Sequence, residues 1–248
     1  MRTMLVAVAA LVLATVSVPS TAAGLYPLEI DHAFVNPSGA AAELVTALSD
    51  AGFIVDPEPF DFGGGAFSRM VYLDNAYFEL HFPARAIGQP PVAGKDWSKD
   101  GGSPFGVALR RMSGGNEPLP FPSKAHTERW MPAGAVMQVF DDEGSFQPGI
   151  FVMPKGMAVK GAAARAEWRK DHAKEAAERF DHPNGARLVT AVHIVTSEKG
   201  YPVSALHVEG AHVTFEKGAA PLMTVTMDNN RQGLTLDLRP AAAVVIRY

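Results

Sequence analysis

Cysteine is absent from the 248-residue chain. A disulfide framework, a thiolate-ligated zinc or iron–sulfur site and a thiol nucleophile are therefore excluded. A tightly bound metal ion would need His, Asp and Glu side chains as its ligands. Charge is also scarce: 19% of the residues are charged, and 22 basic against 26 acidic side chains sum to −4. This balance argues against binding to a nucleic-acid backbone, which requires clustered basic residues.

Long apolar runs are missing except at the N-terminus. Residues 4–18 are apolar, with Arg2 before them and the small residues PSTAA after them. This pattern predicts a secretory signal peptide over residues 1–23, cut after Ala22 or Ala23. The run is shorter than the roughly 20 residues of a spanning helix. We therefore expect a secreted or periplasmic protein whose mature form has no stable membrane span.

Strand and helix patterns alternate behind this segment. Residues 28–35 alternate between apolar and polar as a strand does, and residues 39–51 predict a helix that ends at Gly52. A charged helix is predicted at residues 159–180. Further strands are predicted at residues 53–55, 69–73, 76–82, 105–112, 133–140, 149–153, 187–196, 205–208, 212–216, 223–227 and 234–238.

The order strand, helix, strand, strand, strand at the start of the mature chain is typical of one protein group. The runs that carry it are IDHAFV at 30–35, DAGF at 50–53, GGAFSR at 64–69 and DNAYFEL at 74–80, with HPNGA at 182–186. In this order and spacing, the chain resembles the glyoxalase-like domain proteins of the vicinal oxygen chelate superfamily. The resemblance is good over residues 28–83, partial over 182–200 and weak between them.

The resemblance implies an α+β fold in which repeated βαβββ modules form a curved mixed sheet around a cup. On this basis we expect a first module at residues 24–83. Residues 84–155 would be an insert or a divergent second module. Residues 156–248 would supply a helix and a C-terminal module rich in strands.

The resemblance also implies a divalent metal ion bound by residues of the first and fourth strands. Carried over by position, His32 and Glu79 are two ligands, and His182 is a further candidate. Zn, Mn, Fe and Ni all suit such ligands, and the sequence does not choose between them. Glu79 is also a candidate general base, and Asp237 is a candidate second catalytic carboxylate.

Alternation within the fourth predicted strand places Tyr77, Glu79 and His81 on one face, because residues two apart point the same way. A carboxylate in a half-buried strand needs a partner or a shifted pKa. A metal ion could be this partner, and so could Arg69. Otherwise the planar guanidinium of Arg69 suits an anionic group of a substrate, and Tyr77 is the second candidate for substrate contact.

Each of these candidates also has a structural interpretation. His32 could be a core histidine bonded to backbone groups, and His81 a surface residue at the end of its strand. His182 follows the charged helix, where a positive imidazole favours the helix dipole. Asp237 could be an exposed strand residue.

The expected function is that of a metal-dependent enzyme acting on a small oxygenated substrate by a lyase, isomerase or dioxygenase step. The alternative is a non-catalytic protein that binds a small molecule in the same cup. A third hypothesis is an exported protein with a structural or partner-binding role. The sequence lacks a glycine-rich phosphate loop and a serine elbow, which argues against nucleotide binding and serine hydrolysis. A homodimer is compatible with the sequence, which does not set the oligomeric state.

Overall fold

The computed structural model describes residues 28–37, 41–61, 66–83, 104–112, 119, 121–127, 131–140, 149–154, 156–157, 161–196, 205–239 and 241–248. In these ranges, the chain forms three α-helices and fourteen β-strands, and the strands make up two mixed sheets. The predicted α+β class is confirmed at this level. None of the described helices is long and apolar enough to cross a membrane. The predicted signal peptide lies outside the described residues.

Eight strands form the first sheet. They are β1 (Leu28–Val35), β2 (Phe60–Asp61), β3 (Ala66–Tyr72), β4 (Tyr77–Pro83), β5 (Phe105–Arg111), β6 (Ser123–His126), β7 (Met137–Phe140) and β8 (Gly149–Val152). Their spatial order is β2-β3-β4-β1-β5-β8-β7-β6.

The two halves of the first sheet have the same sequence of strand directions from the centre to the edge. β1 and β5 pair antiparallel at the centre, and each has a parallel outer neighbour, β4 for β1 and β8 for β5. Antiparallel pairs continue the sheet on both sides. The group β5–β8 therefore repeats the order and directions of the group β1–β4.

Six strands form the second sheet. They are β9 (Val189–Thr196), β10 (Ala205–Val208), β11 (Ala211–Lys217), β12 (Leu222–Met227), β13 (Thr235–Asp237) and β14 (Val244–Arg247). β9 and β12 pair antiparallel at the centre, with β11 parallel to β9 and β14 parallel to β12. The second sheet thus follows the plan of the first, with one strand fewer on each side.

The helices are α1 (Ala41–Asp50), α2 (Ala162–Asp171) and α3 (Ala173–Phe180). α1 buries Leu44 and Leu48 at helical spacing. It ends as predicted at Gly52, whose φ of 81° is the left-handed conformation that glycine adopts without strain. A side chain there would also collide with Asn184, because an added Cβ would lie 3.0 Å from the Asn184 Cβ.

One hydrophobic core joins the two sheets. It contains residues of α1, such as Leu48, of the first sheet, such as Phe78, and of the second sheet, such as Val192. The Asn75 side chain adds two hydrogen bonds between the sheets. Its Nδ2 donates to the Val189 oxygen, and its Oδ1 accepts from the Val189 nitrogen, each over 2.8 Å.

Several predicted elements differ from the structure. Residues 53–55 form no strand, because the Phe53 nitrogen donates to the Leu48 oxygen and closes the end of α1. The single helix predicted at 159–180 is two helices, broken at His172, where φ is −128° and ψ is 39°. The strands β2, β6 and β14 were not predicted.

β1 contains a bulge next to His32. The pairing of β1 with β5 shifts between Ile30, opposite Leu109, and His32, opposite Ala108. The register shift falls at Asp31, which is 0% exposed. A bulge re-aims the side chains of the strand that carries it, and here it brings Asp31 beside His32.

Candidate active site

The two residues predicted as ligands meet at the centre of the first sheet. His32 of β1 lies opposite Tyr77 of the parallel strand β4, and Glu79 follows two residues later on the same face. The His32 Nε2 lies 3.4 Å from the Glu79 Oε2. Both residues are buried, with exposures of 3% and 2%. The structure therefore brings His32 and Glu79 together.

His81 joins this pair. Its Nε2 lies 3.0 Å from the same Oε2 of Glu79, and its Nδ1 lies 3.1 Å from the Oδ1 of Asn36. The His81 side chain is 19% exposed, which makes it the most accessible of the three. The spacing of two residues from Glu79 was the sequence signal for this contact, but the position at a strand end favoured a surface interpretation.

Both imidazoles approach Glu79 through the same ring atom, Nε2. In each ring, Nδ1 lies next to a side-chain oxygen: Oδ1 of Asp31 at 2.8 Å from His32, and Oδ1 of Asn36 for His81. An oxygen of this kind accepts the Nδ1 proton, so a neutral ring keeps its lone pair on Nε2. A hydrogen bond from either ring to Glu79 would therefore need a second proton, on Nε2.

The environment of Glu79 determines the pKa of its carboxyl group. Burial raises the pKa of Glu79, but the charges and hydrogen bonds of His81, together with His32 and Ser68, outweigh it and lower the pKa from 4.5 to about 2. Glu79 is therefore ionised at neutral pH. It acts as the counter-ion of the two imidazoles for as long as they contact it.

Aromatic rings surround the three polar side chains. The Tyr77 ring stacks on the His32 ring with centroids 4.4 Å apart, and Phe34 stacks on His81 at 5.2 Å. Phe151 of β8 packs edge-on against His32 at 5.6 Å. Burial, followed by the Glu79 and Asp31 carboxylates, raises the pKa of Tyr77 well above 10.0. Its hydroxyl therefore stays protonated and can donate a hydrogen bond.

A buried ion-pair group lies behind His32. Asp31 contacts His32, and its Oδ2 lies 3.7 Å from the Arg110 Nη1, while the Arg110 Nε donates to Glu29 over 2.7 Å. The sequence interpretation did not include Asp31 or Arg110. Regular alternation places Asp31 on the face opposite to His32, and only the bulge changes this.

The donor types near Glu79 suit a divalent metal, since two imidazoles and a carboxylate form a known ligand combination. The carboxylate of Asp31 behind His32 is also typical of the partners that orient a ligating histidine. Among the described residues, however, no group of three or more His, Asp and Glu side chains is arranged to hold a metal ion. The predicted metal thus finds suitable donor types but no complete ligand arrangement in this part of the chain.

His182, the third predicted ligand, is not brought to this pair. Its Nδ1 accepts from the Ile54 backbone nitrogen at 3.0 Å, and its Nε2 donates to the Tyr72 backbone oxygen at 2.9 Å. Both ring nitrogens are therefore occupied by backbone groups. Burial lowers the pKa of His182, so the ring stays neutral and ties the loop after α1 to the end of β3.

Arg69 and Asp237 also lie apart from Glu79. Arg69 pairs with Leu80 and so occupies the other face of the sheet, and its Nη1 donates to the backbone oxygens of Asp56 and Pro57. Asp237 is exposed, and Arg239 binds both of its carboxylate oxygens, which lowers its pKa to about 2. The structure gives Arg69 a role in fixing a loop and pairs Asp237 with a neighbour.

The second sheet repeats the His–Glu geometry. His193 of β9 lies opposite Thr214 of the parallel strand β11, and Glu216 follows two residues later. The His193 Nε2 lies 3.2 Å from the Glu216 Oε2, and its Nδ1 lies 2.8 Å from the Thr214 hydroxyl. This pair is more open than the first, with side-chain exposures of 38% and 67%. Gly218 occupies the place that His81 has in the first sheet.

No protein-family model matches the chain, and no curated protein matches it. Among the solved structures that resemble it is a hypothetical protein from Staphylococcus aureus, with a TM-score of 0.47 and 8% identity. That match covers 88% of this chain and 98% of the other.

Proposed function

We propose that this chain is an exported glyoxalase-like protein of the vicinal oxygen chelate type, which transfers a proton on a small oxygenated substrate. The observation that carries the proposal is the convergence of the Nε2 atoms of His32 and His81 on one oxygen of the buried Glu79 carboxylate. Two imidazoles and a carboxylate supply the acid and base groups that such chemistry requires.

The contacts of Glu79 suggest how the site works. His81 and His32 lower the pKa of Glu79, while burial raises it. A substrate whose two neighbouring oxygens accept hydrogen bonds from the imidazoles would take these contacts away from Glu79. Burial then dominates, the pKa of Glu79 rises, and the carboxylate becomes a stronger base.

The proton balance of the proposed step is simple. Glu79 takes a proton from the carbon next to the substrate carbonyl, and the bonding electrons move to the carbonyl oxygen. His32 and His81 donate hydrogen bonds to the resulting enolate oxygens, as an oxyanion site does. In an isomerase, the proton of the α-hydroxyl group moves to the former carbonyl oxygen through His32 or His81, and Glu79 returns its proton to the former carbonyl carbon as the α-oxygen becomes the new carbonyl. In a lyase, a leaving group on the β-carbon departs with the bonding electrons and takes a proton from His32 or His81. Asp237, exposed and paired with Arg239, has no part in this step.

The proposed family membership draws on the topology of the sheets. Each sheet has two central antiparallel strands, and each central strand has a parallel outer neighbour. In the finer form of the proposal, these groups are βαβββ-type modules that have lost or changed elements, and the face with Glu79 lines a cup. A homodimer remains compatible with this proposal.

The catalytic proposal is tested by hydrogen–deuterium exchange. Small α-hydroxy aldehydes and ketones are incubated with the mature protein in D₂O, and loss of the α-proton signal is followed by ¹H NMR. We expect exchange above the buffer rate for at least one compound of this class and none with Glu79→Gln. Exchange that persists in Glu79→Gln would contradict the assignment of the base.

The same assay distinguishes metal-dependent catalysis from proton transfer by the side chains alone. The protein is dialysed against a chelator and its content of Zn, Mn, Fe and Ni is measured. The proton-transfer form predicts that exchange survives the treatment. A stoichiometric metal whose removal abolishes exchange, and whose return restores it, would overturn the proton-transfer form in favour of Lewis-acid catalysis.

A non-catalytic binding protein is the second candidate. The difference in exposure favours it: the His81 side chain is 19% exposed, whereas those of His32 and Glu79 are 4% and 3% exposed, so a ligand can contact His81 without reaching the base. In this case, α-hydroxy carbonyl compounds would bind without exchange. Chemical-shift changes at His81 that saturate with ligand, together with an unchanged α-proton signal, would support binding and exclude catalysis on those compounds.

Export is a separate part of the proposal and rests on the apolar N-terminal segment of the sequence. Secretion of the full chain from a bacterial host, followed by intact-mass measurement, tests it. We expect a mature protein that begins at Ala23 or Gly24. A full-length mass in the cytoplasmic fraction alone would contradict export.

A further inference from the structure

A buried arginine lies behind the candidate site. Arg110 of β5 is 4% exposed and stands opposite Glu29 in the pairing of β5 with β1. Its Nε donates to the Glu29 Oε2, and its Nη2 donates to the backbone oxygen of Asn75, each over 2.7 Å. Its Nη1 lies 3.7 Å from the Oδ2 of Asp31. One guanidinium thus faces three separate oxygen atoms.

Asp31 lies between this arginine and His32. It is 0% exposed, and its two oxygens face different neighbours: Oδ2 faces Arg110, and Oδ1 lies 2.8 Å from the His32 Nδ1. A carboxylate removed from water is costly unless a nearby cation compensates it. Arg110 provides such a cation on the side of Asp31 that faces away from the imidazole.

We propose that Arg110 is a positioning residue, which holds the Asp31 carboxylate where it accepts the Nδ1–H of His32 and so directs the Nε2 of His32 at Glu79. The carboxylate sets which ring nitrogen carries the proton, as carboxylates bonded to the far nitrogen of other histidines do. The three interactions of Arg110 described above go to Glu29, Asn75 and Asp31, and none of them goes to Glu79. It acts through Asp31.

The surroundings of Arg110 hold the guanidinium in one place. Asn75, which accepts from Arg110, is bonded on its other side to Val189 of the second sheet. The residue before α2, Gly161, packs directly on the ion pair: an added Cβ would lie 2.5 Å from the Glu29 Oε2 and 3.3 Å from the Arg110 Nη2. The second sheet and α2 therefore both fix the position of Arg110.

An arginine is required here for its shape as well as its charge. The guanidinium carries five donors in a fixed plane and can address Glu29, Asn75 and Asp31 from different nitrogens. A lysine ammonium is a compact charge at the end of a flexible chain. Arg110→Lys is therefore expected to keep a cation nearby without holding Asp31 in the same place.

The role of Arg110 in orienting His32 does not depend on the proposed function. Only its effect on activity does, since the direction of the His32 Nε2 affects activity only if the site transfers a proton or binds a ligand. Its test is independent of any substrate. Long-range ¹H–¹⁵N correlation spectra of the mature protein, labelled at histidine, report which ring nitrogen carries the proton. They are recorded at a pH above the imidazole titration.

In the wild type, we expect the proton of His32 on Nδ1. His182 supplies an internal control of opposite sign, because its Nδ1 accepts from a backbone nitrogen and its proton must lie on Nε2. In Arg110→Met, the Nδ1–H pattern of His32 should be lost or mixed with the Nε2–H pattern. The His182 pattern should stay unchanged, which shows that the fold is intact.

Two milder variants keep the test decisive if Arg110→Met does not fold. Arg110→Lys removes the planar fork, and Gly161→Ala displaces the ion pair from the side of α2; both should mix the His32 patterns. Arg239→Met, at an exposed ion pair, is the matched control and should leave His32 unchanged. A wild-type proton on the His32 Nε2, or a pure Nδ1–H pattern in folded Arg110 variants, would overturn the proposal. Loss of α-proton exchange in Glu79→Gln is a separate result and tests the proposed function alone.

Discussion

Acid titration of Glu79 provides a quantitative test of the buried site. The pKa of Glu79 is about 2 in the folded protein, against 4.5 for an ordinary glutamate. Because the folded-state pKa is lowered, the stabilisation is fully present above pH 4.5 and is lost as the pH falls towards 2. One pKa unit corresponds to about 1.4 kcal/mol, so the ionised carboxylate contributes about 3 kcal/mol to the free energy of unfolding.

The perturbation is Glu79→Gln, which keeps the size of the side chain and removes its titration. Free energies of unfolding are measured by urea denaturation of wild type and variant at several pH values between 7 and 2.5. Other carboxylates titrate in both proteins and cancel in the difference. We expect the stability advantage of the wild type to shrink by about 2.5 kcal/mol across this pH range, because the lowest pH is still above the folded-state pKa.

Asp237→Asn is the matched control for this measurement. The pKa of Asp237 is also about 2, but its carboxylate is solvent-exposed and bound to Arg239. Water and salt screen an exposed ion pair, so Asp237→Asn should change the pH dependence much less than Glu79→Gln. An equal pH dependence of wild type and Glu79→Gln would refute the account of Glu79 as the buried counter-ion of two imidazoles.

Further predictions concern residues around this site. His182→Ala should destabilise the protein by about 2–4 kcal/mol, because it leaves two backbone groups without partners and opens a cavity. Thermal unfolding measures this. Lys174→Ala, at a side chain that is 91% exposed, is the control and is expected within ~0.5 kcal/mol of wild type. The lowered pKa of His182 adds stability that is present above pH 6.5 and declines as the pH falls below it, so wild type and His182→Ala should converge in acid. Gly106→Ala should cost about 1–3 kcal/mol in urea denaturation, since its Cβ would meet the Gly149 oxygen and lie 2.5 Å from the Phe34 ring; wild-type stability in this variant would contradict the packing.

Much of the structure of residues 28–83 follows from the sequence alone. β1, α1 and β4 were predicted because apolar positions recur at intervals of two in the strands and three to four in the helix. Alternation also placed Tyr77, Glu79 and His81 on one face. The neighbour of each strand does not follow from periodicity, however, and the contact between His32 and Glu79 was expected only from the family resemblance.

The remaining features depend on tertiary contacts. The bulge at Asp31 arises from the pairing of β1 with β5, which the sequence pattern does not show. The run Arg110–Arg111 does not indicate which arginine is buried. His182 was a candidate metal ligand because of the family resemblance, whereas two backbone groups from distant parts of the chain occupy its ring. The strand β14, which pairs with β12, was not predicted because it follows an alanine-rich turn.

The central claim is that Glu79 removes the α-proton while His81 donates a hydrogen bond to the enolate oxygen, and α-proton exchange in His81→Gln tests it most directly. The matched control is His193→Gln, which alters the equivalent but exposed pair of the second sheet. We predict that His81→Gln exchanges α-protons of the active α-hydroxy carbonyl compound at least ~100-fold more slowly than wild type, while His193→Gln exchanges them at the wild-type rate. Equal rates for His81→Gln and wild type would contradict the claim.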